Sequence, residues 1–150
     1  MLGQYKEARA IDPMVELGRK IGGRVELRAV GRGWPAIPGW DVRDDFVTES
    51  EFTRELQEAD AVLLPYKFYQ QSGVMVRAFE LGIPVVGTPH PQLAQLYGQT
   101  WPGTVQDADW GSAVEQTLGN DTEAGLLRRK QTLIAEIDAS LSAHLNAGIK

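Results

Sequence analysis

Four cations fall in short loops just after apolar, strand-like segments. Lys6 and Arg9 lie in Gly3-Gln4-Tyr5-Lys6-Glu7-Ala8-Arg9, Arg32 in Gly31-Arg32-Gly33-Trp34, and Lys67 in Pro65-Tyr66-Lys67. Brought to one edge of a sheet, such side chains bind an anion. Each alone reads as an ordinary exposed loop cation; four together favour a site. The segment Gln70-Gln71-Ser72-Gly73-Val74 then opens a helix, and a Ser-Gly turn there offers backbone N–H groups with no Cβ blocking a phosphate. The helix end contributes about 0.3–1 kcal/mol toward an anion, and each hydrogen bond to a charged group roughly 1.5–3 kcal/mol. Ser72 taken alone is equally a plain N-cap.

Other chemistries find less support. Gly31 and Gly33 form a G-x-G pair with Ala36 in the third place, but a dinucleotide fingerprint must open a helix, and Trp34-Pro35 follow instead. A nicotinamide site is therefore disfavoured. No G-x-S-x-G element or supported Ser–His pair occurs, and Asp41, Asp44, Asp45, Glu49 and Glu51 read as solvated loop and helix-start carboxylates. The absence of cysteine excludes disulfides and thiolate chemistry, and His90 and His144 stand too far apart for a zinc pair. No metal or cofactor is expected.

Composition sets the frame for these residues. The chain has 150 residues, 43% apolar, with 15 basic and 20 acidic side chains and a net charge of −5. One domain of this size buries a core without a metal or disulfide. Net negative charge argues against nucleic acid, whose binding is driven by phosphate neutralisation. No apolar run approaches the ~20 residues of a membrane span, and the start lacks a signal peptide, so a cytoplasmic setting is expected. Residues 1–43 carry eight basic and five acidic side chains, whereas 44–62 carry one and seven. An anion site should draw on the first third.

Segments 25–30, 61–64 and 84–86 are short, Val- and Leu-rich and bounded by Gly, Pro or charge, and so read as strands. Asp12-Pro13 predicts an N-cap and first helical residue, with Gly22-Gly23 as the stop. Thr48-Glu49-Ser50-Glu51 is a capping box, predicting a helix over about 49–58. Further helices are expected near 73–81, 91–97, 110–118 and 122–145. The last carries apolar residues at 126, 127, 133, 134, 137, 141 and 145 and should pack on the domain, with part of its surface left over for a homodimer.

Alternating strands and helices predict an α/β fold, a Rossmann-like doubly wound parallel sheet of order 3-2-1-4-5-6 with helices on both faces. Gly3 then follows a first strand of which only Met1 and Leu2 are present. A strand that short is unusual, so a fragment of a longer two-domain protein is expected, with a naturally short first strand as the alternative.

Residues 59–97 carry a more specific pattern. Ala59-Asp60 precedes a strand and Pro65-Tyr66 follows it; Gln71-Ser72-Gly73-Val74 starts a helix; Gly82-x-Pro84-Val85-Val86 makes a turn and strand; Leu96-Tyr97-Gly98 ends the run. With Gly3-to-Arg9 and Ala29-to-Gly33 upstream, the chain resembles, over nearly its whole length, the C-terminal donor-binding half of GT-B glycosyltransferases of the group 1, family 4 kind. That resemblance implies a domain binding the nucleoside diphosphate of a sugar donor, beside an N-terminal acceptor-binding domain that is absent here. It implies retaining, metal-independent glycosyl transfer and inactivity of this domain alone.

By the same resemblance, Arg9 takes the place of a diphosphate-binding Lys and, with Lys6, is assigned to catalysis by stabilising the leaving group. Gly3, Gly31, Gly33, Ser72, Gly73 and Val74 line the diphosphate pocket, while Phe46 and Val47, at the end of the third strand, meet the base. The family's glutamate pair would fall on Tyr69 and Arg77, neither acidic, and Gln4 replaces a customary Arg. Arg77 then pairs with phosphate, leaves ribose recognition to Glu80 one turn later, or faces the core helix surface. These departures leave open a second reading, a glycosyltransferase-like interaction module with a degenerate pocket.

Overall fold

The computed structural model describes residues 1–68, 71–119 and 121–147. Its elements run α1 (Asp12–Ile21), β1 (Arg28–Val30), β2 (Asp41–Arg43), α2 (Glu49–Gln57), β3 (Val62–Leu64), α3 (Gly73–Glu80), β4 (Val85–Gly87), α4 (Pro91–Tyr97), α5 (Trp110–Thr117) and α6 (Thr122–Ala147). Most follow from local chemistry. Thr48 and Glu51 close the predicted capping box at α2, Ser72 caps α3 through the Met75 N–H, and His90 caps α4 ahead of Pro91. The start of α1 differs from expectation. Ile11 is the cap and is itself helical, with no side-chain bond, so Asp12 is the first helical residue and places its carboxylate at the positive end of the helix.

The strands decide where side chains go. On β3, Leu63 points to one face, into a cluster with Met14, Leu17, Ile21, Val86 and Val114. Val62 and Leu64 point to the other, against Leu56, Met75, Phe79, Leu93 and Leu126. That alternation is the period of two of an extended chain. It puts α1 and α5 on one side and α2, α3, α4 and the start of α6 on the other, each buried Leu or Val contributing roughly 1.5–3 kcal/mol.

The six-strand doubly wound sheet of order 3-2-1-4-5-6 is not formed. Two separate two-stranded parallel sheets are present, β1 with β2 and β3 with β4. The cause lies at the position between them. The backbone ladder of residues 1–3 is one-sided: the Val30 N–H donates to the Met1 carbonyl at 3.1 Å and the Gly3 N–H to the Val30 carbonyl at 2.9 Å. Among the described residues no backbone bond joins them to β3. Leu2 is thus an isolated bridge to Val30 rather than a central strand. A cavity of about 520 Å³, lined by Met1, Leu27, Leu56, Ala61, Val62 and Val114 among others, lies where a longer ladder would run.

The halves are stitched together further along. Ala10 donates its N–H to the Pro65 carbonyl at 2.6 Å and Lys67 to the Ala8 carbonyl at 2.7 Å, so Arg9 pairs antiparallel with Tyr66. The strand expected to end at Phe46 and Val47, here β2, is also shorter than expected. It ends at Arg43, leaving Phe46 and Val47 in the following loop, where the Asp45 carboxylate accepts the Phe46 N–H.

Candidate functional site

Gly3 is the point on which the site turns. Its φ is +90°, a left-handed conformation that glycine adopts without strain. Its carbonyl accepts the Trp34 indole N–H at 2.8 Å. The space where a Cβ would stand is bordered by Arg9 Nη2 at 3.4 Å, a Val74 methyl at 3.8 Å and the Phe52 ring at 4.0 Å. Residues from the first loop, α2 and the start of α3 therefore meet within a few ångströms. Gly31, at φ +138°, lets the second loop approach: a Cβ there would overlap the Gly3 carbonyl. Tyr5 then donates its N–H to the Arg32 carbonyl at 2.9 Å, running the two loops side by side.

Arg9 is the most constrained of the predicted site residues. It is only 5% exposed. Its guanidinium lies 4.9 Å from the Trp34 ring centroid and 5.7 Å from that of Tyr66, held between two aromatic faces. One nitrogen, Nη2, donates to the Leu2 carbonyl at 3.0 Å, whereas Nη1 is buried with no hydrogen-bond partner among the described residues. Among the described residues no carboxylate comes within ion-pair distance of it. Burial draws its pKa below the ordinary arginine value, with Tyr66 opposing. An arginine keeps its charge even so, and an unpaired buried cation is costly unless an anion joins it.

The helix start beside it is partly committed. Ser72 Oγ accepts the Met75 N–H at 3.1 Å and bonds the Tyr66 hydroxyl at 3.0 Å. The Ser72 N–H is taken by Gln92 Oε1 at 2.9 Å, and Gln92 Nε2 returns a bond to the Ser72 carbonyl at 3.4 Å. Ser72 thus acts as the N-cap, and its backbone N–H is already taken. The N–H groups of Gly73 and Val74 have no acceptor among the described residues, and no atom lies within 4 Å of where a Gly73 Cβ would stand. Two amides at a helix start, with a buried guanidinium across Gly3, make an arrangement that can hold an oxyanion.

The other predicted residues spread outward from this centre. Gly33 donates its N–H to Asp44 Oδ1 at 2.6 Å, which sets a carboxylate at the rim. Arg32 is exposed, its guanidinium 5.9 Å from the ring of Phe46, itself 64% exposed. Val47 is half-buried against the core cluster that contains Leu56 and Leu2. Lys6 and Lys67 are exposed and make no ion pair among the described residues. Arg77 turns away toward α2, with Glu49 at 3.5 Å, Thr53 Oγ1 at 3.3 Å and Glu80 at 4.0 Å. Arg77 and Glu80 are thereby engaged with each other and with α2. Tyr69 and Gln70 lie outside the described residues.

Sequence reasoning passed over Trp34, Tyr66 and Gln92. The first two stand inside the quoted loops, and an aromatic next to a glycine pair or after Pro65 was a usable signal. Gln92 had none, because its contact with Ser72 spans 20 residues. Among the described residues no three His, Asp or Glu side chains gather at metal-ligand spacing, and no helix is long and apolar enough to cross a membrane. No protein-family model matches this chain, and no curated protein matches it.

Proposed function

We propose that this chain binds the diphosphate of a nucleotide-sugar at Arg9 and the start of α3, as the donor-binding part of a cytoplasmic glycosyltransferase. One observation carries the reading: Arg9 is buried with no counter-ion and no partner for Nη1 among the described residues, and it borders the same space beside Gly3 as a Val74 methyl. A bound diphosphate would supply the missing negative charge, with the Gly73 and Val74 amides completing its coordination. Lys6, exposed three residues before Arg9, would reach the outer oxygens.

In the transfer, the bond from the sugar's anomeric carbon to the diphosphate oxygen breaks and one to an acceptor hydroxyl oxygen forms. The hydroxyl proton leaves with the diphosphate. Arg9 and the helix start stabilise the charge gathering on the leaving group. No metal or other cofactor takes part in this reading. The acceptor would be held by an N-terminal domain, and a homodimer through the exposed side of α6 belongs to the same reading.

The test is calorimetric titration with nucleoside diphosphates. Binding in the micromolar to millimolar range that Arg9→Ala abolishes is expected. No heat at millimolar ligand, or binding indifferent to Arg9→Ala, would overturn the proposal.

A second reading, an interaction module with a degenerate pocket, is favoured by the engagement of Arg77 with Glu49 and Glu80, which ties up the acid nearest the ribose position. It requires that pyrophosphate leave the amide resonances of Gly73 and Val74 unmoved.

A further inference from the structure

We infer that two copies of this chain pair through α6 as an antiparallel, two-fold symmetric helix pair centred on Ile134. The inference rests on the homodimer reading above and gives it a register and an orientation.

Leu127, Ile134 and Leu141 follow one another at intervals of seven residues, close to two helical turns, and so lie in one stripe. They are 59%, 53% and 58% exposed. A different side of α6 holds the body of the molecule. Leu126 is buried there, Arg129 donates to the Gln95 carbonyl at 2.6 Å and to that of Leu96 at 3.3 Å, and Lys130 donates to the Glu80 carbonyl at 2.6 Å. The stripe begins about a quarter-turn round from these contacts. From residue 134 to 143 every residue is exposed, so the second half of α6 stands clear of the body. A helical segment that short is marginal in water without a covered face.

Spacing and charge both select a second copy as the cover. In an antiparallel pair centred on Ile134, Leu127 of one copy meets Leu141 of the other, and the two Ile134 side chains meet at the axis. Arg128 and Lys130 precede that centre and Asp138 follows it, whereas Arg129 and Glu136 pair with each other within the chain at 3.5 Å. Antiparallel pairing sets Arg128 and Lys130 within a turn of the other copy's Asp138, whereas parallel pairing in register sets like on like. It also places the two bodies at opposite ends, each beside the free half of the other copy's helix.

The chain has no cysteine, so introduced thiols report without background. Sedimentation of the full chain over a concentration series is expected to show a monomer–dimer equilibrium. Ile134→Lys, at an exposed position, should raise its dissociation constant at least tenfold. Under mild oxidation, Leu127→Cys chains mixed with Leu141→Cys chains should form the mixed disulfide, with either variant alone giving little. A chain monomeric at all concentrations would overturn the homodimer itself. A dimer in which Leu127→Cys chains cross-link to one another instead would overturn the antiparallel register alone.

Discussion

Arg9 and Trp34 hold each other in place: the guanidinium of Arg9 lies 4.9 Å from the Trp34 ring centroid, and the indole N–H of Trp34 fixes the Gly3 carbonyl at 2.8 Å. The Leu2 carbonyl, one residue earlier, accepts Arg9 Nη2 at 3.0 Å. A cation held by aromatic faces and a backbone carbonyl, with no carboxylate at ion-pair distance among the described residues, keeps its field for something outside the chain.

That relationship separates binding from stability. Arg9→Met keeps much of the side chain's bulk and removes a buried unpaired charge, so the unfolding midpoint is expected to hold or rise. Nucleoside diphosphate affinity should fall by roughly 10- to 100-fold, the equivalent of about 1.5–3 kcal/mol for bonds to a charged group. Calorimetry and urea denaturation on the same variant check both. A lower midpoint with unchanged affinity would make Arg9 a structural residue.

Gly31 sets how closely the two loops approach. A Cβ at this position would lie 2.6 Å from the Gly3 carbonyl carbon, at a φ of +138°. Gly31→Ala is therefore expected to cost about 3 kcal/mol or more from strain and overlap. Urea denaturation followed by tryptophan fluorescence reads it, and a loss under 1 kcal/mol would contradict the geometry.

Gln92 orients the α3 start from a distance, since its side-chain amide bonds both backbone groups of Ser72. Gln92→Ala leaves the Ser72 N–H unsatisfied, at a cost of about 1–2 kcal/mol in stability. Diphosphate affinity should also fall several-fold, while Gln92→Glu, which keeps the acceptor, should recover part of it. An affinity equal to the parent's in Gln92→Ala would remove its positioning role.

Two helix starts make stability depend on pH. Glu51 accepts the Thr48 N–H at 2.9 Å and the Thr48 hydroxyl at 2.8 Å, and these bonds hold its carboxyl below the usual range. Asp109 is held low by the Ser112 N–H and then by Lys20, each at 3.1 Å. A depressed folded-state pKa gives stability that is present above the unfolded-state value of about 4 and lost as pH falls through the folded one. Glu51→Gln and Asp109→Asn should thus lower the urea midpoint at pH 6 and match the parent at pH 2. An equal deficit at both pH values would show that the bonds are not charge-dependent.

The helices were legible in the sequence because their signals are local. The Thr48 and Glu51 box, Ser72 before Gly73, and His90-Pro91 each satisfy or replace orphan backbone donors within one turn, so they fix α2, α3 and α4 wherever those helices come to lie. The unbroken apolar run Ala61–Leu64 likewise announced a layer covered on both faces. The number of strands in one ladder was a different matter. Whether residues 1–3 join β1 to β3 depends on bonds to partners far along the chain, and among the described residues their backbone ladder bonds go to β1 alone.

The site divides along the same line. The sequence by itself determined which residues carry charge and free amides: Lys6, Arg9, Arg32 and Lys67, with Gly73 and Val74 at a helix start. Only the tertiary structure decided that Arg9 is buried between Trp34 and Tyr66, that Arg32 stays with Phe46 at the surface, and that Arg77 belongs to Glu49 on α2. Residue type is a property of one position, whereas burial and ion pairing depend on which distant segments fold against it. For Arg9 those segments are the loops after β1 and β3.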